Sequence, residues 1–337
     1  MPDRDTQIEA FLARCGWADA TRRPLAGDAS FRRYERLSRG RDRAVLMDAP
    51  PPNEDVRPFI AMTRHMGALG YSAPALYGED VAAGLLLLED LGDATYARAL
   101  AGGADKATLY AAAVDVLIDL HARPESVAVP PWLAEYDEAR LLTEAELLTD
   151  WYMPRLFGQP TSAAAKETYR KIWRTLVPLT RGAGRTLVLR DFFADNLMWL
   201  PERGGRAAVG LLDYQDALAG SPAYDLMSLI EDERRDMDAA LEADLLVRYQ
   251  AGRPRLDPGA FRAAYTVLSA QRHCKNIGIF TRLFVRDGKP GYLVHIPRMW
   301  RLLERTCQDP LLKPLQDWLD RHIPADRRRA PQPEHVS

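Results

Sequence analysis

The pattern of apolar and polar positions divides the 337-residue chain into a strand-rich opening and a helical remainder. Residues 6–16, TQIEAFLARCG, predict a short helix with Thr6 as N-cap and Gly16 as stop. Between residues 23 and 50 two strands flank the turn-rich SRGRD, and a second bend, AGDAS, opens the first of them. The run Pro50-Pro51-Pro52 ends this hairpin, because proline has no N–H to give to a ladder. DVRPFIAMTRHMGALG predicts a helix with Pro58 in its first turn and Gly70 at its close. ALYGEDVAAGLLLLEDLG predicts a further pair of strands.

Past residue 92 the spacing becomes helical. Leu109, Val114, Leu117 and Ile118 mark a helix in DKATLYAAAVDVLIDLHARP that Pro124 ends. Helices are expected through EARLLTEAELLTDWYM and SAAAKETYRKIWRTLVPL, resuming at AYDLMSLIEDERRDMDAALEADLLVRYQA and continuing towards the end. The expected fold class is α+β: a small β-rich lobe (1–92), a large helical lobe (93–325) and a polar, proline-containing tail (326–337) that frays. There is no internal repeat and no low-complexity block.

One stretch interrupts the helices. In LVLRDFFADNLMWL, apolar arms enclose Asp191, Asp195 and Asn196. Burying such groups is costly unless something satisfies them. RTLVLR, NLMWLP and AAVGLLDYQD read as strands, the last two joined through Glu202-Arg203-Gly204-Gly205. Asn196 then opens one strand of a hairpin and Asp213 ends the other, so their side chains can meet at one end. An amide oxygen and a carboxylate meeting there suit Mg²⁺, which takes few protein ligands and completes its shell with water and phosphate. Asp191 faces the same spot as a free carboxylate able to orient and deprotonate a hydroxyl. Each of these residues alone is ordinary turn chemistry; the combination carries the reading.

Composition narrows the function class. Forty-five Lys and Arg against 47 Asp and Glu leave a net charge of −2, which gives no basic footprint for nucleic acid or a membrane surface. Cys15, Cys274 and Cys307 are widely spaced, with neither a disulfide framework nor a zinc pattern. The opening MPDRDTQIEA is not a signal peptide, and AAGLLLLEDL is too short to span a bilayer, so a cytoplasmic location is expected.

The ordered set LRDFFADN … LLDYQDALAGSPAYDL resembles the catalytic core of the aminoglycoside phosphotransferase and choline kinase-like family, patterned H-x-D-x-x-x-x-N and then I-D-x-x-x-A-x-x-G-x-P-x-x-D-L. LIDLHARP, ending near His121, resembles the helix before that core. The resemblance implies a two-lobed protein-kinase-like fold that uses ATP and Mg²⁺. It makes Asp191 the catalytic aspartate, Asn196 and Asp213 the metal ligands, and Asp225 a structural brace of the catalytic loop. Within the family, PLAGDASFRRYERL, LLLLEDLGD and RHCKNIGIFTRL…DGKPGYL resemble bacterial kinases that phosphorylate the anomeric hydroxyl of N-acetylmuramate and N-acetylglucosamine. That implies a place in peptidoglycan recycling, with the sugar 1-phosphate passed to a nucleotidyltransferase.

Two positions depart from the family pattern. Leu189 replaces the histidine of H-x-D, and Met47 stands where a phosphate-binding lysine is expected. GDASFRRY offers the substitute: Gly27 permits a bend, the amides of Asp28, Ala29 and Ser30 can face a phosphate, and Arg32, ahead of Arg33, supplies the cation. LLLLEDLG is the expected hinge, with adenine bonded to backbone near Glu89 and Leu91. From Gln271 to Arg301 the chain is basic and interleaved with aromatics, by default a solvated helix face. If part of it lines the acceptor pocket, Arg272, Lys275 or Arg282 would meet the sugar, and polycationic aminoglycosides would fit poorly. Rival readings are a same-fold kinase for an aminoglycoside, choline or a hydroxy amine, and a pseudokinase acting as a binding module, for which Met47 speaks.

Overall fold

The computed structural model describes residues 3–25 and 31–332. The chain runs through α1 (Arg4–Arg14), β1 (Thr21–Pro24), β2 (Arg33–Arg39), β3 (Asp42–Asp48), α2 (Arg57–Ala68), β4 (Leu76–Asp80), β5 (Leu85–Glu89), α3 (Tyr96–Ala101) and α4 (Lys106–Ala122). It continues through α5 (Glu125–Ala128), α6 (Glu138–Ala145), α7 (Met153–Phe157), α8 (Ala163–Leu176), β6 (Thr186–Val188), β7 (Leu197–Trp199), β8 (Val209–Leu211) and β9 (Leu218–Gly220). Helices α9 (Ala223–Ile230), α10 (Ala239–Ala251), α11 (Pro258–Asp287), α12 (Ile296–Thr306) and α13 (Lys313–His322) follow. The backbone forms two compact units, Met1–Val116 with Asp191–Ala217, and Leu117–Arg190 with Leu218–Ser337. The first unit thus takes in 93–116 and 191–217 besides the residues up to 92.

The first unit is built on an antiparallel sheet of order β1-β2-β3-β5-β4. Alternation along the strands puts Leu37, Ala44, Leu46, Leu85 and Leu87 on one face, where they pack with Ile8, Phe11, Leu12 and Trp17 of α1 and the turn after it. The helix starts at Arg4, two residues before Thr6, because Asp3 supplies the cap by accepting the Arg4 amide. Gly16 ends it in a left-handed conformation, φ 76°. The same alternation turns Met47 to the other face, in register with Tyr34 and Leu86 and 1% exposed. In the same unit β7 and β8 form the expected hairpin, Leu197 opposite Leu211 and Trp199 opposite Val209. Its close fit requires Gly210: a Cβ there would meet the Met198 Cβ at 2.8 Å and the Leu91 side chain at 3.2 Å.

Helix α11 is the spine of the second unit. Asp257 caps it, Pro258 is its first residue, and Gly288 closes it at φ 65°. Its basic segment was expected at a solvated face, but Gln271, Arg272, His273, Cys274, Lys275 and Asn276 are all buried. Charge pattern alone misleads here because all six find hydrogen-bonding or ionic partners on neighbouring elements. The expected helical run after Ala223 breaks between Ile230 and Ala239. Glu231, Asp232 and Glu233 there are buried, drawn to His273, Arg235 and Arg272, and that pairing outweighs their helix propensity. The tail, expected to fray from residue 326, is held as far as it is described. Tyr152 Oη lies 3.0 Å from the Arg327 carbonyl, and the half-buried Arg328 pairs with Glu304 and Asp320. Among the described residues no helix is long and apolar enough to cross a membrane.

Candidate active site

The loop between β6 and β7 is folded by its own side chains. Asn196 Nδ2 donates to the Asp191 carbonyl at 3.0 Å, and the Asn196 amide donates to the Phe193 carbonyl at 2.9 Å. Phe192, Phe193 and Ala194 between them are buried, which leaves Asp191, Asp195 and Asn196 half-buried. The hairpin then brings Asp213 to the same end: Asn196 Nδ2 and Asp213 Oδ2 are 3.5 Å apart. Asp213 is held from behind by Tyr214, which is buried, stacks on Phe59 and shares a 2.7 Å hydrogen bond with Thr63 of α2.

Arg32 reaches this spot. Its guanidinium lies 3.4 Å from Asp213 Oδ1 and 3.8 Å from Glu54, while Arg33 points to solvent. Burial by itself lowers the Arg32 pKa, but Tyr34, Asp213 and Glu54 more than reverse this, and the cation is kept. Gln215 Nε2 donates to the same Asp213 oxygen at 2.9 Å. With the Asn196 nitrogen held by the Asp191 carbonyl, its amide oxygen is the atom left for an ion. That oxygen and the Asp213 carboxylate fit Mg²⁺, a hard cation that shares its shell with phosphates. Among the described residues no three His, Cys, Asp or Glu side chains gather into an all-protein metal cage.

Of the remaining nucleotide-site expectations, Gly27, Asp28, Ala29 and Ser30 lie outside the described residues. Glu89 is committed within the unit: its amide donates to the Ala75 carbonyl at 2.8 Å and its carboxylate pairs with Arg203. Leu91 packs on the hairpin beside Gly210.

The second unit carries the approach to the loop. Leu189 and Arg190 donate their amides to Asp225, at 2.7 and 2.9 Å, and Asp225 is fully buried. Arg272 donates to the Arg190 carbonyl and to the Tyr224 hydroxyl, both at 3.2 Å, and lies 3.4 Å from Glu233. Lys275 lies 3.2 Å from Glu144 and donates to the Tyr224 hydroxyl at 3.3 Å. Glu144 also receives Tyr136 and Arg190. Burial raises the Glu144 pKa, but Lys275 and Arg190 outweigh it and the carboxyl sits below its usual range. Burial likewise raises the Tyr224 phenol, and Lys275 with Arg272 more than offsets it. So Arg272 and Lys275 come together, whereas Arg282 stands about 15 Å further along the helix axis than Arg272. Burial and Arg286 lower the Arg282 pKa against the pull of Asp287. Sequence reasoning missed Arg190, Glu144 and Tyr136. Arg190 had a signal, as the middle residue of Leu189-Arg190-Asp191; Glu144 and Tyr136 had none.

A carboxylate-bearing loop beside a hairpin with an amide and a carboxylate at one end is an arrangement suited to phosphoryl transfer. The chain belongs to the phosphotransferase enzyme family, whose pattern matches residues 21–258. It is 40% identical to an N-acetylmuramate/N-acetylglucosamine kinase of Caulobacter vibrioides, over 97% of this chain and 99% of that one. It is 39% identical to the kinase of the same name from Pseudomonas aeruginosa, over 88% and 87% of the two chains. Its fold is similar to that of a choline/ethanolamine kinase family protein from Mesorhizobium loti, with a TM-score of 0.63 at 13% identity over 94% and 99% of the chains. It is similar also to ADP-bound aminoglycoside phosphotransferase APH(2'')-Ib, with a TM-score of 0.60 at 15% identity over 91% and 99%.

Proposed function

We propose that this phosphotransferase is an ATP- and Mg²⁺-dependent kinase that phosphorylates N-acetylmuramate and N-acetylglucosamine at the anomeric oxygen. The observation that carries the substrate class is the near-full-length similarity to a kinase of those two sugars. The chemistry rests on the loop and hairpin. Asp191 orients the anomeric hydroxyl and takes its proton as the oxygen attacks the γ-phosphorus; the bond from that phosphorus to the ADP oxygen breaks in line. An anomeric hydroxyl is more acidic than an ordinary alcohol, so a carboxylate base is well matched to it. Asn196 and Asp213 are the residues to hold Mg²⁺, which when bound neutralises charge on the phosphate oxygens. Arg32 supplies the cation that Met47 cannot, with a planar fork suited to phosphate. On this reading the sugar 1-phosphate is passed to a nucleotidyltransferase, in peptidoglycan recycling.

Incubation with ATP and each free sugar, followed by phosphorus NMR, tests the reading. A phosphate coupled to the anomeric proton is expected, with no product from the methyl glycoside. Phosphorylation of the methyl glycoside at a rate near that of the free sugar would rule out the anomeric position. Asp191→Asn is expected to keep nucleotide binding and to lose roughly 10²–10⁴-fold in turnover.

A further inference from the structure

Arg190 has a backbone that its side chain does not favour. Among the described residues only Arg190, at φ 71°, and Asp213, at φ 57°, take a left-handed conformation without being glycine. Such a conformation is strained and persists only where the surroundings over-determine it. Glycine would adopt it without strain. At Arg190 the amide, the carbonyl and the guanidinium each have partners. The amide donates to Asp225 at 2.9 Å. The carbonyl receives Arg272 at 3.2 Å and Ser228 at 3.3 Å. The guanidinium pairs with Glu144 and lies over the Tyr136 ring at 5.5 Å. Glu144 is fixed in turn by Tyr136, Lys275 and Gln271. The next peptide bond leads to Asp191.

We propose that Arg190 is a positioning residue for Asp191, and that its side chain, locked on Glu144 and Tyr136, is required for turnover although it is not a ligand of nucleotide or sugar. This rests on the reading of Asp191 as the base. The Arg190 carbonyl and the Asp191 nitrogen share one peptide plane, so fixing the carbonyl with Arg272 and Ser228 fixes the direction in which Asp191 leaves the loop. Releasing the side chain removes the remaining anchor of this strained residue, so that the main-chain bonds alone must hold the plane. By the same geometry Arg272 acts through the Arg190 carbonyl, as a positioning residue and not as a sugar contact.

The test compares Arg190→Gly, Arg190→Lys and Glu144→Gln with the unaltered enzyme. Arg190→Gly relieves the backbone strain and removes the anchor. Turnover is expected to fall on the order of 10²-fold, the loss that follows a small misplacement of a reacting group, while the Michaelis constant for ATP and the thermal midpoint stay near their original values. Arg190→Lys, which keeps the charge opposite Glu144, is expected to recover part of that loss. Glu144→Gln, nearly isosteric, is expected to lower turnover without raising the ATP constant, and it serves if the glycine variant does not fold. Full turnover in Arg190→Gly would overturn the proposal, as would full turnover in a folded Glu144→Gln. Asp191→Asn, run alongside, separates the two levels: if that variant stays active, the assignment of the base has failed, whatever Arg190 does.

Discussion

The side-chain amide of Asn196 donates to the main-chain carbonyl of Asp191 at 3.0 Å, so the residue that can hold a metal also shapes the loop that carries the carboxylate. Substitution at Asn196 therefore acts on two functions, while substitution at Asp213 acts chiefly on one. Asp213→Ala is expected to abolish metal-dependent nucleotide binding and to cost at least about 10²-fold in turnover, the scale of losing one preorganised electrostatic group. Asn196→Ala is expected to weaken metal-dependent binding less while still lowering turnover. Calorimetric titration of the nucleotide with and without Mg²⁺ checks this; equal binding by wild type and Asp213→Ala in Mg²⁺ would remove Asp213 from the metal site.

Arg32 and Arg33 are neighbours with opposite exposures, which makes them a matched pair for experiment. Arg32 faces Asp213 and Glu54, and Arg33 faces solvent. Arg32→Ala is expected to lower kcat/KM for ATP roughly tenfold, which is about 1.4 kcal/mol of transition-state stabilisation. Arg33→Ala is expected to leave it unchanged. Steady-state kinetics with varied ATP decides, and equal effects of the two substitutions would count against a phosphate role for Arg32.

Gly278 marks where α11 touches another backbone. A Cβ at this position would lie 2.3 Å from the Leu147 carbonyl carbon and 2.4 Å from its oxygen. Neither atom is the end of a flexible side chain, so the helix itself must shift. Gly278→Ala is expected to destabilise the protein by about 3 kcal/mol, near the upper end of overpacking costs. Denaturant unfolding measures this, and a loss under about 0.5 kcal/mol would show that the contact yields easily.

His121 predicts a specific pH dependence. It is buried, bonded through Nδ1 to the Tyr249 hydroxyl at 2.7 Å, and burial together with Arg253 lowers its pKa to about 3. An unfolded chain protonates the same histidine near pH ~6.5. Between the two values the unfolded state holds more protons, so stability falls as pH falls from about 6.5 towards 3. His121→Gln keeps a hydrogen-bonding group but cannot titrate, and is expected to flatten the dependence of the urea midpoint on pH between 6 and 4. An unchanged slope would assign the acid sensitivity to other groups.

Strands β2 to β8, the hairpin and the spacing of Asp191, Asn196 and Asp213 were legible in the sequence because they rest on local rules. A period of two identifies a strand, turn residues end it, and a hairpin brings its ends together. The same holds for Gly16 and Gly70, which close their helices at φ 76° and 85°. Tertiary structure alone decided what became of the charges. Arg272 and Lys275 carry the same sequence pattern as a solvated helix face, and only the packing of α11 buries them against Tyr224, with Glu233 and Glu144 as counter-charges. Glu231 to Glu233 read as helix, and partners as distant as Arg272 and His273 help pull them out of it. Arg190 makes the division plainest. Its identity and its place beside Asp191 are sequence, but its left-handed backbone is held by Asp225, Arg272 and Glu144, residues 35, 82 and 46 positions away. No local rule reaches that far, because a buried charge is settled by whichever partner the fold brings within a few ångströms, not by its neighbours in the chain.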